Sequence, residues 1–261
     1  MRQTILLIGC GRMGSAMARK WRDNYTVFIC DPHAAPLADT TQIEPDQFST
    51  LTEPLVVALA VKPQIFPAMA ESLHPLSRLN PLYVSIMAGV TIATISKALR
   101  NTERVVRAMP NTPAAIGQGM TVAVAQYSLE THARETVDAL LGVTGEIAWL
   151  EQEKMLDPVT ALSGSGPAYF YHFTEALAAA GVEIGLPENF AMKLARQTFI
   201  GAAALAEHEG SPLNELRESV TSAGGTTAAG LAELNANNAL DCLALKCLQA
   251  ARDRSRELSN A

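Results

Sequence analysis

The sequence predicts an α/β fold in two parts: an N-terminal Rossmann-type doubly wound sheet, then an all-α dimerisation domain. Three observations predict it. Short apolar runs alternate with helical segments through residue 151, the first run opens directly into Gly9-Cys10-Gly11-Arg12-Met13-Gly14, and from Glu151 onwards the strand pattern gives way to long alanine-rich helical stretches. The expected boundaries are 1–151 for the dinucleotide-binding domain and 152–261 for the helical domain.

Ile5 to Ile8 is apolar throughout, as a strand buried on both faces should be. Strand, GxGxxG and helix (Ala16 to Arg22) follow in the order that a pyrophosphate site requires. In that motif Gly9 permits the tight turn, Gly11 lets backbone approach phosphate, and Gly14 allows close helix–strand packing. Residues 9–14 (Gly9, Cys10, Gly11, Arg12, Met13 and Gly14) are therefore expected to bind a cofactor.

Tyr25 to Cys30 reads as the second strand. Asp31 follows it, about seventeen residues beyond Gly14, where an acid bonds the adenosine ribose hydroxyls or else caps the turn before Pro32. The chain continues Pro32-His33-Ala34 with no arginine, and a carboxylate there repels a 2′-phosphate. Of NADH and NADPH, the local chemistry favours NADH.

Leu55 to Val61 is a third expected strand, ending in Ala60-Val61-Lys62-Pro63. Leu82 to Ile86 is a fourth, followed by Met87-Ala88-Gly89. Arg104 to Ala108 is a fifth, followed by Met109-Pro110-Asn111-Thr112-Pro113. Ligands of doubly wound sheets bind outside the carboxyl ends of the strands, so Ala60, Val61, Lys62, Pro63, Ala88, Gly89 and Asn111 should line the crevice begun by Gly9. Lys62 could reach phosphates or ribose, or be a solvated loop lysine. Asn111 lies between Pro110 and Pro113, so its backbone is restricted and its side chain can be aimed, beside the nicotinamide or simply as a turn asparagine. Met120 to Ala125 and Ile147 to Leu150 are further strands flanking a helix from Glu130 to Leu141.

In the second half, Ser163-Gly164-Ser165-Gly166-Pro167 leads into a helix carrying Tyr169, Phe173, Leu177 and Ala180. A second helix follows Pro187, with Phe190, Leu194, Phe199 and Leu205 available for burial. A third spans Leu213 to Val220, and a last runs from Ala239 to Leu258. Helices apolar on more than one face imply an obligate dimer. Ser222-Ala223-Gly224-Gly225-Thr226-Thr227 interrupts this pattern, although each glycine costs roughly 1 kcal/mol in a helix interior. The run offers free N–H groups, hydroxyls and a helix starting near Thr226, which suits a small carboxylate.

Composition narrows the function further. Apolar residues are 48% and charged residues 18%, and the net charge of −6 without a basic block argues against nucleic acid. Arg252, Arg254 and Arg256 alternate with acids along a solvated helix face. Cys10, Cys30, Cys242 and Cys247 form no CxxC pair and read as reduced, and no signal peptide or membrane span is visible, so a cytoplasmic enzyme is expected. His172 and His208 have no ligand-spaced partners, and no metal is expected.

Together these motifs resemble the pyrroline-5-carboxylate reductase family over nearly the whole chain. The resemblance rests on residues 9–14, 60–63 and 109–113, and most specifically on Leu162 to Tyr169 and Val220 to Thr227. It implies a Rossmann domain, a helical dimerisation domain, an active site between them, and hydride transfer from NADH or NADPH to the imine carbon of a small-molecule substrate, 1-pyrroline-5-carboxylate, giving L-proline. It also implies a homodimer, with rings of dimers in several relatives. Carried onto this chain, the substrate carboxylate sits at Ser222, Gly224, Gly225 and Thr226. Thr227, the expected catalytic residue, places its hydroxyl near the ring nitrogen, and Glu153 and Glu209 match acidic positions near the substrate or else are exposed helix-end acids. The chain departs from the family pattern at Ala223, where proline is usual, and at Asp31-Pro32, where NADPH users commonly carry serine, asparagine or arginine.

Two other readings compete. A beta-hydroxyacid dehydrogenase should carry an acid/base lysine on the first helix of the second half, and Ala168 to Gly181 contains none. A nicotinamide-binding scaffold without catalysis would not need an intact glycine–threonine run.

Overall fold

The computed structural model describes residues 2–52, 55–126 and 129–259. The chain divides into two compact units: one runs as far as Ser165 and takes back the end of the last helix from Ala251, and the other spans Gly166–Ala250. The break therefore falls at Ser165/Gly166 and not at 151/152. Residues 152–165 stay with the sheet because Glu153 bonds to Arg107 and to the Ile92 N–H, and Ser163 to Asn111.

The first unit is built on an eight-stranded sheet of β1 (Thr4–Ile8), β2 (Thr26–Cys30), β3 (Thr41–Gln42), β4 (Leu55–Leu59), β5 (Leu82–Ser85), β6 (Val105–Pro110), β7 (Gly119–Ala125) and β8 (Gly145–Leu150), in the order β3-β2-β1-β4-β5-β6-β7-β8. All pairings are parallel except β6 with β7. Only residues 111–118 join those two strands, too few for a crossover, so the chain turns straight back. The helices on the sheet are α1 (Arg12–Trp21), α2 (Phe66–Leu73), α3 (Ile92–Ala98), α4 (Thr131–Gly142) and the short α5 (Leu156–Val159).

The alternation of strand side chains splits the core in two. Leu6, Ile8, Val57 and Leu59 pack with α2 and α3 on one face. Ile5, Leu7, Val56 and Ala58 pack with α1 and α4 on the other, where the Trp21 indole donates to the Leu140 carbonyl at 2.6 Å. Both faces being covered explains why β1 and β4 are apolar without interruption. Registers Ile8↔Leu59, Leu59↔Ser85 and Ser85↔Arg107 bring the carboxyl ends of β1, β4 and β5 level, and β6 carries three residues beyond that line.

The second unit is helical: α6 (Gly166–Glu183), α7 (Glu188–Glu209), α8 (Leu213–Ser219), α9 (Thr226–Asn235) and most of α10 (Ala239–Ser259). α6 and α7 pack against each other, with Gly181 close to the Ala191 methyl and the Phe170 and Tyr171 rings against Phe199. Only Gly166 and Ala178 of α6 and Ala191 of α7 are buried, and no residue of α8, α9 or α10 is.

Candidate active site

Two glycines of the first loop are required by the fold. A Cβ on Gly9, whose φ is +90°, would lie 2.8 Å from both the Ala60 carbonyl oxygen and Val61 Cγ1, and one on Gly14 would lie 2.5 Å from the Gly9 carbonyl oxygen. Ala60 and Val61 thus act at the loop by crowding Gly9. Gly11 differs: it caps α1 in extended conformation at φ −67°, and nothing lies within 4 Å of where its Cβ would be. The fold leaves open space there, in front of a helix N-terminus that no side chain caps. Such a cradle fits the pyrophosphate of a dinucleotide, held by the amides at the start of α1. Arg12 is exposed and Met13 half-buried beside it.

Asp31 leaves β2 and reaches that loop. Its Oδ2 accepts the Cys10 N–H at 2.6 Å, and its Oδ1 accepts the His33 N–H at 2.9 Å. The turn-capping role and the place beside the phosphate loop are therefore combined in one carboxylate. Burial, reinforced by the Asp31 charge and opposed by Arg19, raises the Cys10 thiol pKa. Burial, with Glu44 and Asp31 adding to it, pushes that of Cys30 up to about 11. Both stay uncharged thiols at neutral pH.

Further along the strand ends, Lys62 is exposed and its side chain makes no hydrogen bond or ion pair among the described residues, and Pro63 opens a short 3-10 turn. Ala88 is exposed. Gly89 has φ +76°, and its Cβ would meet the Leu258 carbonyl oxygen at 2.9 Å, so both its backbone angle and the returning end of α10 favour glycine there. Ser255 on that same helix end donates to Asp157 Oδ1 at 2.7 Å.

Asn111 is held at both ends of its amide. Oδ1 accepts the Met120 N–H at 2.8 Å, and Nδ2 donates to Ser163 Oγ at 3.3 Å. The following turn, Thr112–Ile116, packs on α1, the helix that carries the cradle. Glu153 belongs to a different cluster. Its Oε1 accepts from Arg107 Nη1 at 2.9 Å and from the Ile92 N–H at 2.8 Å, and Arg107 is 4% exposed. Neither Ser163 nor Arg107 stands out in the motifs read for chemistry. A lone arginine inside Val105-Val106-Arg107-Ala108-Met109 was the available signal, since a buried charge needs a partner.

In the helical unit, Ser222 to Gly225 form a turn closed by the Gly225 N–H on the Ser222 carbonyl at 3.0 Å, with Gly224 at φ +72°. A side chain at Gly225 would displace the Ser222 hydroxyl, whose Oγ lies 2.4 Å from where the Cβ would be. α9 then begins on Gly225 with no side-chain cap, leaving its first amides for another acceptor. Ser222, Thr226 and Thr227 are exposed, and Glu209 is exposed at the last turn of α7.

Residues 153–258 match the family model for pyrroline-5-carboxylate reductase dimerisation, and residues 4–89 match that for NADP oxidoreductase, coenzyme F420-dependent. A pyrroline-5-carboxylate reductase of Pasteurella multocida is 35% identical over 98% of this chain and 98% of its own. The chain belongs to the pyrroline-5-carboxylate reductase family. Solved structures of such reductases agree: that from Coxiella burnetii superposes with a TM-score of 0.89 at 32% identity, covering 99% of both chains, and that from Plasmodium falciparum, with NADP bound, with 0.80 at 27%, covering 98% of both. Within this reductase family fold, the glycine cradle belongs to the sheet unit and the Ser222–Thr227 turn to the helical unit. Among the described residues, no group of three or more His, Cys, Asp and Glu side chains converges as a metal site would, and no helix is long and apolar enough to cross a membrane.

Proposed function

We propose that this chain reduces 1-pyrroline-5-carboxylate to L-proline with NADH or NADPH, as a cytoplasmic homodimer. The observation that carries the cofactor half of the reading is the start of α1 at Gly11: no side chain caps it, and nothing crowds the space where a Gly11 side chain would be. When bound there, the dinucleotide supplies the hydride.

A cyclic imine can be protonated before reduction, so the protein needs no ketone-type acid. It has to hold the carboxylate, orient the ring and exclude water. The free amides at the start of α9 and the Ser222 hydroxyl suit the carboxylate, which the uncapped helix end also attracts. Gly224 and Gly225 give the turn its shape, Thr226 contributes its amide, and the Thr227 hydroxyl orients or protonates the ring nitrogen. Glu209 assists from the end of α7. Glu153, paired with Arg107, acts by holding its surroundings in place.

Asp31 sets the cofactor preference. Its carboxylate faces the loop that leads to the adenosine ribose and no cation follows it in Pro32-His33-Ala34, so NADH serves at least as well as NADPH. The dimer forms through the apolar helices of the second unit, and sizing in solution tells whether dimers go on to form a ring.

Oxidation of NADH in the presence of pyrroline-5-carboxylate tests the reading directly; no turnover with either nicotinamide cofactor defeats it. Thr227→Ala should cut kcat by at least tenfold, and near-wild-type turnover would remove Thr227 from the chemistry. Asp31→Ser should shift the ratio of specificity constants towards NADPH.

A further inference from the structure

We propose that Ser163 is a cofactor-positioning residue whose hydroxyl donates to the carboxamide oxygen of the nicotinamide. The proposal rests on the dinucleotide reading above and adds a contact to it.

The Met120 N–H can only donate, so the Asn111 side-chain atom 2.8 Å from it has to be Oδ1. That fixes the amide, and Nδ2 must face Ser163 Oγ at 3.3 Å. Ser163 is therefore the acceptor in that contact and its own proton is free. Among the described residues no group takes it, although the side chain is half-buried. A donor held in this way is ready for an acceptor from outside the protein.

Ser163 is held by an unusual piece of backbone. Residues Thr160–Gly164 form a π-helical turn, closed by the Ser165 N–H on the Thr160 carbonyl at 2.9 Å. Single π turns are rare within helices and often occur at functional sites. This one packs on β6, with the Gly164 backbone facing the Met109 side chain. The wider turn places Leu162 on the surface, 65% exposed, and turns the next residue towards Asn111.

Position identifies the ligand group. The sheet order β2-β1-β4-β5-β6 places Asp31 at the adenosine end, the glycine cradle at β1, and Asn111 with Ser163 at the far end, beyond β6. The turn after Asn111 also packs on α1, the helix whose N-terminus forms the cradle. A dinucleotide running along the strand ends brings its nicotinamide half to that end, where the carboxamide oxygen is the acceptor on the ring.

Binding of NADH and of ADP-ribose, which lacks the nicotinamide, should be compared by calorimetry for the wild-type protein, Ser163→Ala and Ser163→Thr. Ser163→Ala should weaken NADH about tenfold, in the range of one hydrogen bond, and leave ADP-ribose unchanged. Ser163→Thr, which keeps the hydroxyl, should recover most of the loss. Equal weakening of both ligands, or none of either, overturns the assignment while the dinucleotide reading stands. A wild-type protein that binds neither ligand overturns both. A thermal melt of each variant separates misfolding from loss of the contact.

Discussion

The two units spend similar apolar content in opposite ways. The sheet unit covers both faces of its strands with its own helices, and Ile5, Leu6, Leu7 and Ile8 have no exposed surface at all. The helical unit leaves Phe170, Phe173, Leu177, Phe190, Leu243 and Leu245 between 43% and 66% exposed. At roughly 25 cal/mol per Å² of apolar surface, a set of side chains of that size is a large unused stabilisation, and a second copy of the chain can realise it. One unit is thus complete as a single chain, whereas the other is half of an assembly. The candidate sites differ likewise: the sheet presents backbone shaped by close packing, the helical unit an exposed turn.

The largest effect expected from this contrast comes from charge on the uncovered helices. Leu177→Glu should weaken dimerisation at least a hundredfold, seen by sedimentation, while Ile65→Glu, equally exposed in the sheet unit, should leave the assembly unchanged. Equal outcomes would erase the distinction between the units. The buried ion pair comes next. Glu153→Met strands the buried Arg107 guanidinium and should cost about 3–5 kcal/mol in urea unfolding, and the double variant Arg107→Met with Glu153→Met should recover much of that.

Gly14→Ala and Gly11→Ala then separate fold from ligand within one motif. Gly14→Ala presses a methyl on the Gly9 carbonyl and should lower stability by about 1–3 kcal/mol. Gly11→Ala should leave the melting temperature unchanged and weaken NADH binding. The smallest effect concerns the helical turn. Ala223 lies at the second position of a turn whose third residue, Gly224, has positive φ, where proline is at home. Ala223→Pro should stabilise by about 0.4–1 kcal/mol with activity retained, and destabilisation would show that the position needs a free φ.

Long elements were legible from pattern. The helix over Ala239 to Leu258 lies within a residue of its expected ends, the one after Pro187 begins at Glu188, and α9 begins at Thr226 as the glycine run implied. Three short elements were not, although α8 and β5, as short as they, were read from their flanking residues. β3 has two residues, and α2 and α3 have eight and seven, too few for a period to emerge. In the site, Gly9, Gly14 and Asp31 were readable because each obeys a local spacing. Ser163 and Arg107 were not, since their partners lie 52 and 46 residues away.

The sequence by itself determined the alternation of strand and helix, the phosphate-type loop, the break at Gly224-Gly225 and the family. These follow from periodicity and from local backbone requirements, which neighbouring residues fix. Only the tertiary structure decided why each glycine is a glycine: Gly14 for packing, Gly89 for its backbone angle and the returning helix end, Gly11 for none of these. It also joined Asn111 to Ser163 and Glu153 to Arg107, and it returned the end of α10 to the sheet unit. Such contacts depend on which distant segments share a strand end, and that is set by packing the whole sheet.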